Sequence, residues 1–191
     1  MTGPTLSRRE LLLYSSAATL PWAGGARSAV ASPSHPHESA PPHSGKLQFF
    51  KEEDAADVES IAALILPTDE TPGAREAGVI HFIDRALVTF DREKQTIYRA
   101  GLAEVRQHIQ RLTPGLHHVA QLSPEQQVHL MEAIVPSEFF GVVRTHTLMG
   151  FFGNPSYGGN RGEAGWKLIQ FEDQFTFRPP FGHYDADPNK A

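Results

Sequence analysis

Between residues 51 and 169 apolar side chains recur every three or four positions and almost never alternate. That period confines the chain to helices packed side by side, because each helix carries one apolar stripe that must be covered. The first such segment, residues 51–66, begins acidic, as suits a helix N-terminus, turns apolar at Ile61, Leu64 and Ile65, and stops at Pro67. A turn-rich stretch follows, in which Thr71 and Pro72 read as a helix start. The next helix is expected over 76–90, with Val79, Phe82, Ile83, Ala86, Leu87 and Phe90 on its core face. A third is expected over 93–112, where Tyr98, Leu102, Val105, Ile109 and Leu112 form the seam of one helix lying along another.

Punctuation supports the same division. Thr113-Pro114-Gly115 ends the third helix. Ser123-Pro124-Glu125-Gln126 combines an N-cap serine, a proline at the first helical position and a glutamine able to close a capping box. That helix ends near Pro136, and Ser137 caps another that runs to about Gly150. A glycine- and asparagine-rich loop then leads to a short helical piece at 164–169. The expected fold is all-α: a single compact domain of five or six helices over 47–170, with an extended, aromatic-rich C-terminal arm over 171–191.

The N-terminal region has a different character. Ser7-Arg8-Arg9-Glu10-Leu11-Leu12 has the form of a twin-arginine export signal, and a modest apolar stretch follows. Arg27 discourages the general secretory route, and Ala29-Val30-Ala31 is a small-x-small cleavage site, so residues 1–31 read as the signal. The apolar stretch is too short, and too broken by Ser15, Ser16, Thr19 and Pro21, to anchor in a bilayer. Residues 32–46, with four prolines among polar residues, read as a flexible linker. The expected destination is the periplasm by way of the twin-arginine translocase, a route for proteins that are already folded and typically hold a cofactor.

Composition narrows the chemistry. The chain carries 17 Lys plus Arg against 22 Asp plus Glu, and the leader takes three arginines but only one glutamate. The remaining acidic domain is unsuited to nucleic acid or anionic membrane surfaces. With no cysteine there is no disulfide, thiolate nucleophile, iron–sulfur cluster or Cys-x-x-Cys-His haem attachment. No Gly-x-Ser-x-Gly elbow or phosphate-binding Gly-x-x-x-x-Gly-Lys loop is present, and the glycines at 158, 159 and 162 follow no expected strand. Of the ten histidines, His35, His37 and His43 fall in the linker and His117 and His118 in a loop. His81, His108, His129 and His146 stand singly on helices and read as surface or satisfied core residues. Asp69 and Glu70 share a turn, and Asp84 is expected to face solvent or the neighbourhood of Arg85. No catalytic, cofactor-binding or metal-binding residue is assigned.

The segment 150–166 is the most distinctive. Its glycines and asparagines permit left-handed backbone, and interleaved aromatics imply a packed loop. Eight of the twelve phenylalanines lie at or beyond Phe139. So many aromatics in an irregular region suit a covered protein surface. The candidate partner contacts are Asn154, Pro155, Tyr157, Gly158, Gly159, Asn160 and Trp166, with Phe175, Phe177 and Phe181 on the arm; a loop folded over its own domain is the competing reading.

Three blocks resemble the gluconate 2-dehydrogenase subunit 3 family: 66–84, beginning Leu66-Pro67-Thr68-Asp69; Leu122-Ser123-Pro124-Glu125-Gln126-Gln127; and Gly150-Phe151-Phe152 with Asn154-Pro155-Ser156-Tyr157-Gly158-Gly159-Asn160 and Gly165-Trp166. The resemblance implies a non-catalytic accessory subunit without a cofactor of its own. Its implied partners are a large FAD-dependent dehydrogenase subunit acting on a sugar, sugar acid or polyol, and a multihaem cytochrome c carrying haem c. It implies a role in maturation, stability and export of the flavoprotein, with membrane association only through the complex. The alternative is a free-standing periplasmic helical enzyme or metal-binding protein.

Overall fold

The computed structural model describes residues 45–174. The residues of the expected export signal (Arg8, Arg9, Ala29 and Ala31), Phe175, Phe177 and Phe181 of the expected arm, and most of the expected 32–46 linker lie outside the described residues.

Among the described residues there are six α-helices and no strand: α1 (Glu52–Ile65), α2 (Val79–Val88), α3 (Gln95–Leu112), α4 (Pro124–Ile134), α5 (Glu138–Phe152) and α6 (Ala164–Leu168). None is long and apolar enough to cross a membrane. Helix α5 is the hub, packing against α1, α2, α3 and α6, while α4 packs on α3. A helix enclosed on several sides needs apolar residues around much of its circumference. Phe139, Val143 and Phe151 are buried, and Phe140, Val142 and Phe152 pack at the core's margin.

Both expected serine caps form. The Ser123 Oγ accepts from the Gln126 N–H, and the Gln126 Oε1 accepts from the Ser123 N–H at 2.8 Å, with Pro124 at the first helical position. Ser137 accepts from the Phe140 N–H at 3.1 Å. Each satisfies a backbone donor that would otherwise be orphaned at a helix start.

Three expectations need correction. Helix α2 does not start near Thr71-Pro72 or Glu76. Residues 74–78 form turns, and the helix begins only after Gly78, whose φ of 65° is left-handed. The reason lies in side-chain bonds that hold the backbone in a closed loop. Asp69 accepts the Thr71 N–H at 2.8 Å, and Glu76 accepts both the Thr68 hydroxyl at 2.6 Å and the Gly73 N–H at 2.8 Å. These hydrogen bonds hold the Glu76 carboxyl below its usual range. Phe90 and Leu112 are exposed rather than core: α2 ends at Val88, and Leu112 is the last residue of α3.

Asp84 is the third. It does not face solvent: it is 4 % exposed. Its carboxylate collects three successive backbone donors, from Gln48 at 2.7 Å, Phe49 at 2.9 Å and Phe50 at 3.0 Å. A buried charge is tolerable when hydrogen bonds of this kind replace its water. They strap residues 48–50 across α2. Phe50 enters the core edge-on to Tyr98, and Arg99 covers the Phe49 ring at 5.1 Å.

Asp84→Ala leaves those three donors without their acceptor and is expected to lower unfolding free energy by about 3 kcal/mol in chemical denaturation. Asp84→Asn retains one acceptor oxygen and should lose roughly half as much. An Asp84→Ala protein as stable as the parent would contradict the strap.

Candidate functional site

The distinctive 150–166 segment closes the C-terminal end of α5. The last carbonyls of a helix have no partner within it, and at the end of a hub helix water is a poor substitute. Two side chains of the 150–166 segment fill the need. The Asn160 Nδ2 donates to the Gly153 carbonyl at 2.8 Å, and the Trp166 Nε1–H donates to the Phe152 carbonyl at 2.8 Å. The other end of the Asn160 amide accepts from the Gly165 N–H at 2.8 Å, so one side chain ties the helix end to the start of α6. Asn160 has a φ of 47°, a conformation that asparagine tolerates better than most residues, and is 0 % exposed. Gly159 lies so close to α5 that a Cβ there would sit 2.1 Å from the Gly150 carbonyl oxygen, which excludes any other residue without rearrangement. Asn154 makes a local turn by accepting from the Ser156 N–H at 3.0 Å.

This loop meets the turn block before α2. The Arg161 N–H donates to the Ala77 carbonyl at 3.0 Å, the Arg161 side chain covers Gly78, and Gly158 lies over the backbone of His81 and Phe82. Segments far apart in sequence therefore form one seam along α2. His81 in that seam has a lowered pKa, first from burial and second from the Arg161 charge.

Beside the seam lies a largely buried polar chain whose members are far apart in sequence. His146 on α5 bonds Asp91 Oδ2 through Nε2 at 2.8 Å and Tyr98 Oη through Nδ1 at 3.0 Å. In the tautomer with its hydrogen on Nε2, the Asp91 carboxylate accepts that N–H and Nδ1 accepts the Tyr98 O–H. The Tyr98 ring stacks on His146 with centroids 5.8 Å apart. Burial, and then the Asp91 charge, push the Tyr98 hydroxyl well above its usual range, so it keeps its proton. The chain ties the α2–α3 connection and α3 to α5, and it makes His146 a satisfied core histidine. A second such tie pins the loop before α4: the buried Asp57 accepts the Val119 N–H at 3.0 Å and bonds Arg106 and His118, each at 3.3 Å, while Arg106 also bonds Asp54. Among the described residues no three His, Asp or Glu converge as a metal site would require.

The sequence-nominated contact residues thus divide. Asn160, Gly158 and Gly159 are buried, and Trp166 is 8 % exposed with Phe171 against its ring at 5.2 Å. Asn154 and Pro155 are half-buried, and Tyr157 alone of the loop's nominees stands out, at 55 % exposed. Across a cleft of about 180 Å³ stands Phe90, 56 % exposed, with Phe82 and Ala86 among the lining residues between them. Phe90, expected on the core face of α2, falls two residues beyond the end of the helix at Val88.

The family described as gluconate 2-dehydrogenase subunit 3 matches residues 52–173, more than half of the chain. No curated protein and no solved structure matches.

Asn160→Gly keeps the backbone conformation but removes both amide bonds, and should destabilise the domain by about 2–3 kcal/mol in denaturant titration. A loss under about 0.5 kcal/mol would deny the amide its capping role. For Tyr98, the raised folded-state pKa means that the unfolded chain releases this proton first as pH rises. Its contribution is intact below pH 10 and declines above it, by up to about 1.4 kcal/mol per pH unit. Alkaline unfolding curves of the parent should show this extra slope relative to Tyr98→Phe; parallel curves would contradict it.

Proposed function

The chain belongs to the gluconate 2-dehydrogenase subunit 3 family, and from that membership we propose that it is the non-catalytic accessory subunit of an FAD-dependent dehydrogenase complex. The complex oxidises a sugar, sugar acid or polyol at a CH–OH group. Flavin resides in the large subunit, and haem c in a cytochrome subunit where one is present. The small subunit assists maturation and stability of the flavoprotein and supplies the twin-arginine signal by which the folded pair reaches the periplasm, where the complex holds it at the inner membrane.

The observation that carries this reading is the family match joined to the twin-arginine sequence at Ser7-Arg8-Arg9. A signal for prefolded cargo is accounted for when the chain leaves bound to a companion that folds around a cofactor. The use of the motif adds support. Asn160 and Trp166 direct their polar groups to carbonyls of α5, so the most distinctive residues build a rigid scaffold. A rigid scaffold suits a subunit whose task is to hold another protein.

Changing Arg8 and Arg9 together to lysine should leave the flavoprotein subunit in the cytoplasm, as read by cell fractionation and by loss of periplasmic dehydrogenase activity. Unimpaired export of that subunit would overturn the carrier role.

A further inference from the structure

The outer side of α2 carries a groove made of two adjoining clefts. The first, of about 180 Å³, lies between the exposed rings of Phe90 and Tyr157. The second, of about 380 Å³, runs between α2 and the segment 45–48 that leads into the strap, and is bounded by Lys46, Asp84 and Gly158. The two meet at Arg85 and Thr89, which line both. Arg85 donates to the Ser156 carbonyl at 2.8 Å, and this bond fixes the guanidinium beside the loop.

Three properties set this surface apart. It exposes two large aromatic rings facing one small cavity, the arrangement that receives an anchor side chain. Its walls are held in place: Asp84 ties down the strap, and the α5 cap positions the loop that bears Tyr157. Its charge also runs against that of the chain. Lys46 and Arg85 line it, and its one carboxylate, Asp84, already accepts three backbone N–H groups, whereas acids outnumber bases 22 to 17 overall. A cationic aromatic groove on an acidic protein complements an apolar side chain flanked by a carboxylate.

We propose that this groove is the docking site for the large dehydrogenase subunit, which seats an aromatic or branched aliphatic side chain between Phe90 and Tyr157 and a carboxylate near Arg85. The inference rests on the accessory-subunit reading and gives that reading a place on the molecule. The partner's anchor covers both rings, and its carboxylate exchanges water for the guanidinium.

The test uses the tagged full chain co-expressed with the dehydrogenase subunit. Phe90→Asp combined with Tyr157→Asp should reduce the recovered flavoprotein at least tenfold while leaving the thermal melt of the small subunit unchanged. Val128→Asp, at an exposed apolar position on α4, should leave recovery unchanged. Should the double variant unfold, a photo-cross-linking phenylalanine analogue at position 90 decides the matter: a covalent adduct with the dehydrogenase subunit supports the groove. Recovery within twofold of the parent by a folded double variant overturns it. So does an adduct with a second copy of this chain or with residues 175–191. A parent chain that recovers no flavoprotein overturns the accessory-subunit reading and, with it, the groove.

Discussion

The C-terminal end of α5 is the constraint on which the rest of the fold turns. This helix touches α1, α2, α3 and α6, so its last carbonyls emerge at the junction of several packed elements. Left unpaired there, each would cost on the order of 1–3 kcal/mol. The chain meets the demand with two side-chain donors, Asn160 on a loop close enough to reach because Gly159 has no Cβ, and Trp166 on α6 just after it. Once the loop is drawn onto the helix end, Arg161 reaches Ala77 and Gly158 settles over His81, and the start of α2 is fixed in turn. The same loop sets Tyr157 opposite Phe90.

Buried polar groups tie the elements together. Asp84 binds the strap to α2, His146 joins Asp91 to Tyr98, and Asp57 holds the loop before α4. Each carboxylate or imidazole among them has its partners close by, as groups in a low-dielectric interior require. An apolar core alone tolerates sliding of one helix along the next; ties with fixed donor and acceptor positions specify one register. That rigidity matters for a subunit whose proposed work is to present a surface, since little conformational entropy is then lost when the partner docks.

Much of the architecture was legible in the sequence. Helical period, the two serine caps and the proline stops marked the helices, and the stripes through Ile83, Leu87, Leu102, Val105 and Ile109 are indeed core. The misreadings have different causes. Phe90 extends the α2 stripe in sequence but falls beyond the helix end, Glu76 closes a local turn with Thr68 and Gly73 instead of starting a helix, and Asp84 alone is drawn inward by donors 34 to 36 residues away. Local pattern carries no information about partners supplied by distant segments. Within the candidate segment, which residues are buried was not legible. Asn160 and Trp166 resemble interface residues in composition, and only the carbonyls of α5 reveal why they point inward.

By itself the sequence determined the all-α class, the caps and the family, because these depend on residue type and short spacing. Tertiary structure alone decided which polar residues are buried, that the 66–84 and 150–166 segments form one seam, and that Tyr157 and Phe90 face each other across a cleft. Those outcomes depend on where α5 ends in space and which orphaned carbonyls it presents. Such a demand arises only when helices are already packed, and no periodicity along the chain encodes it.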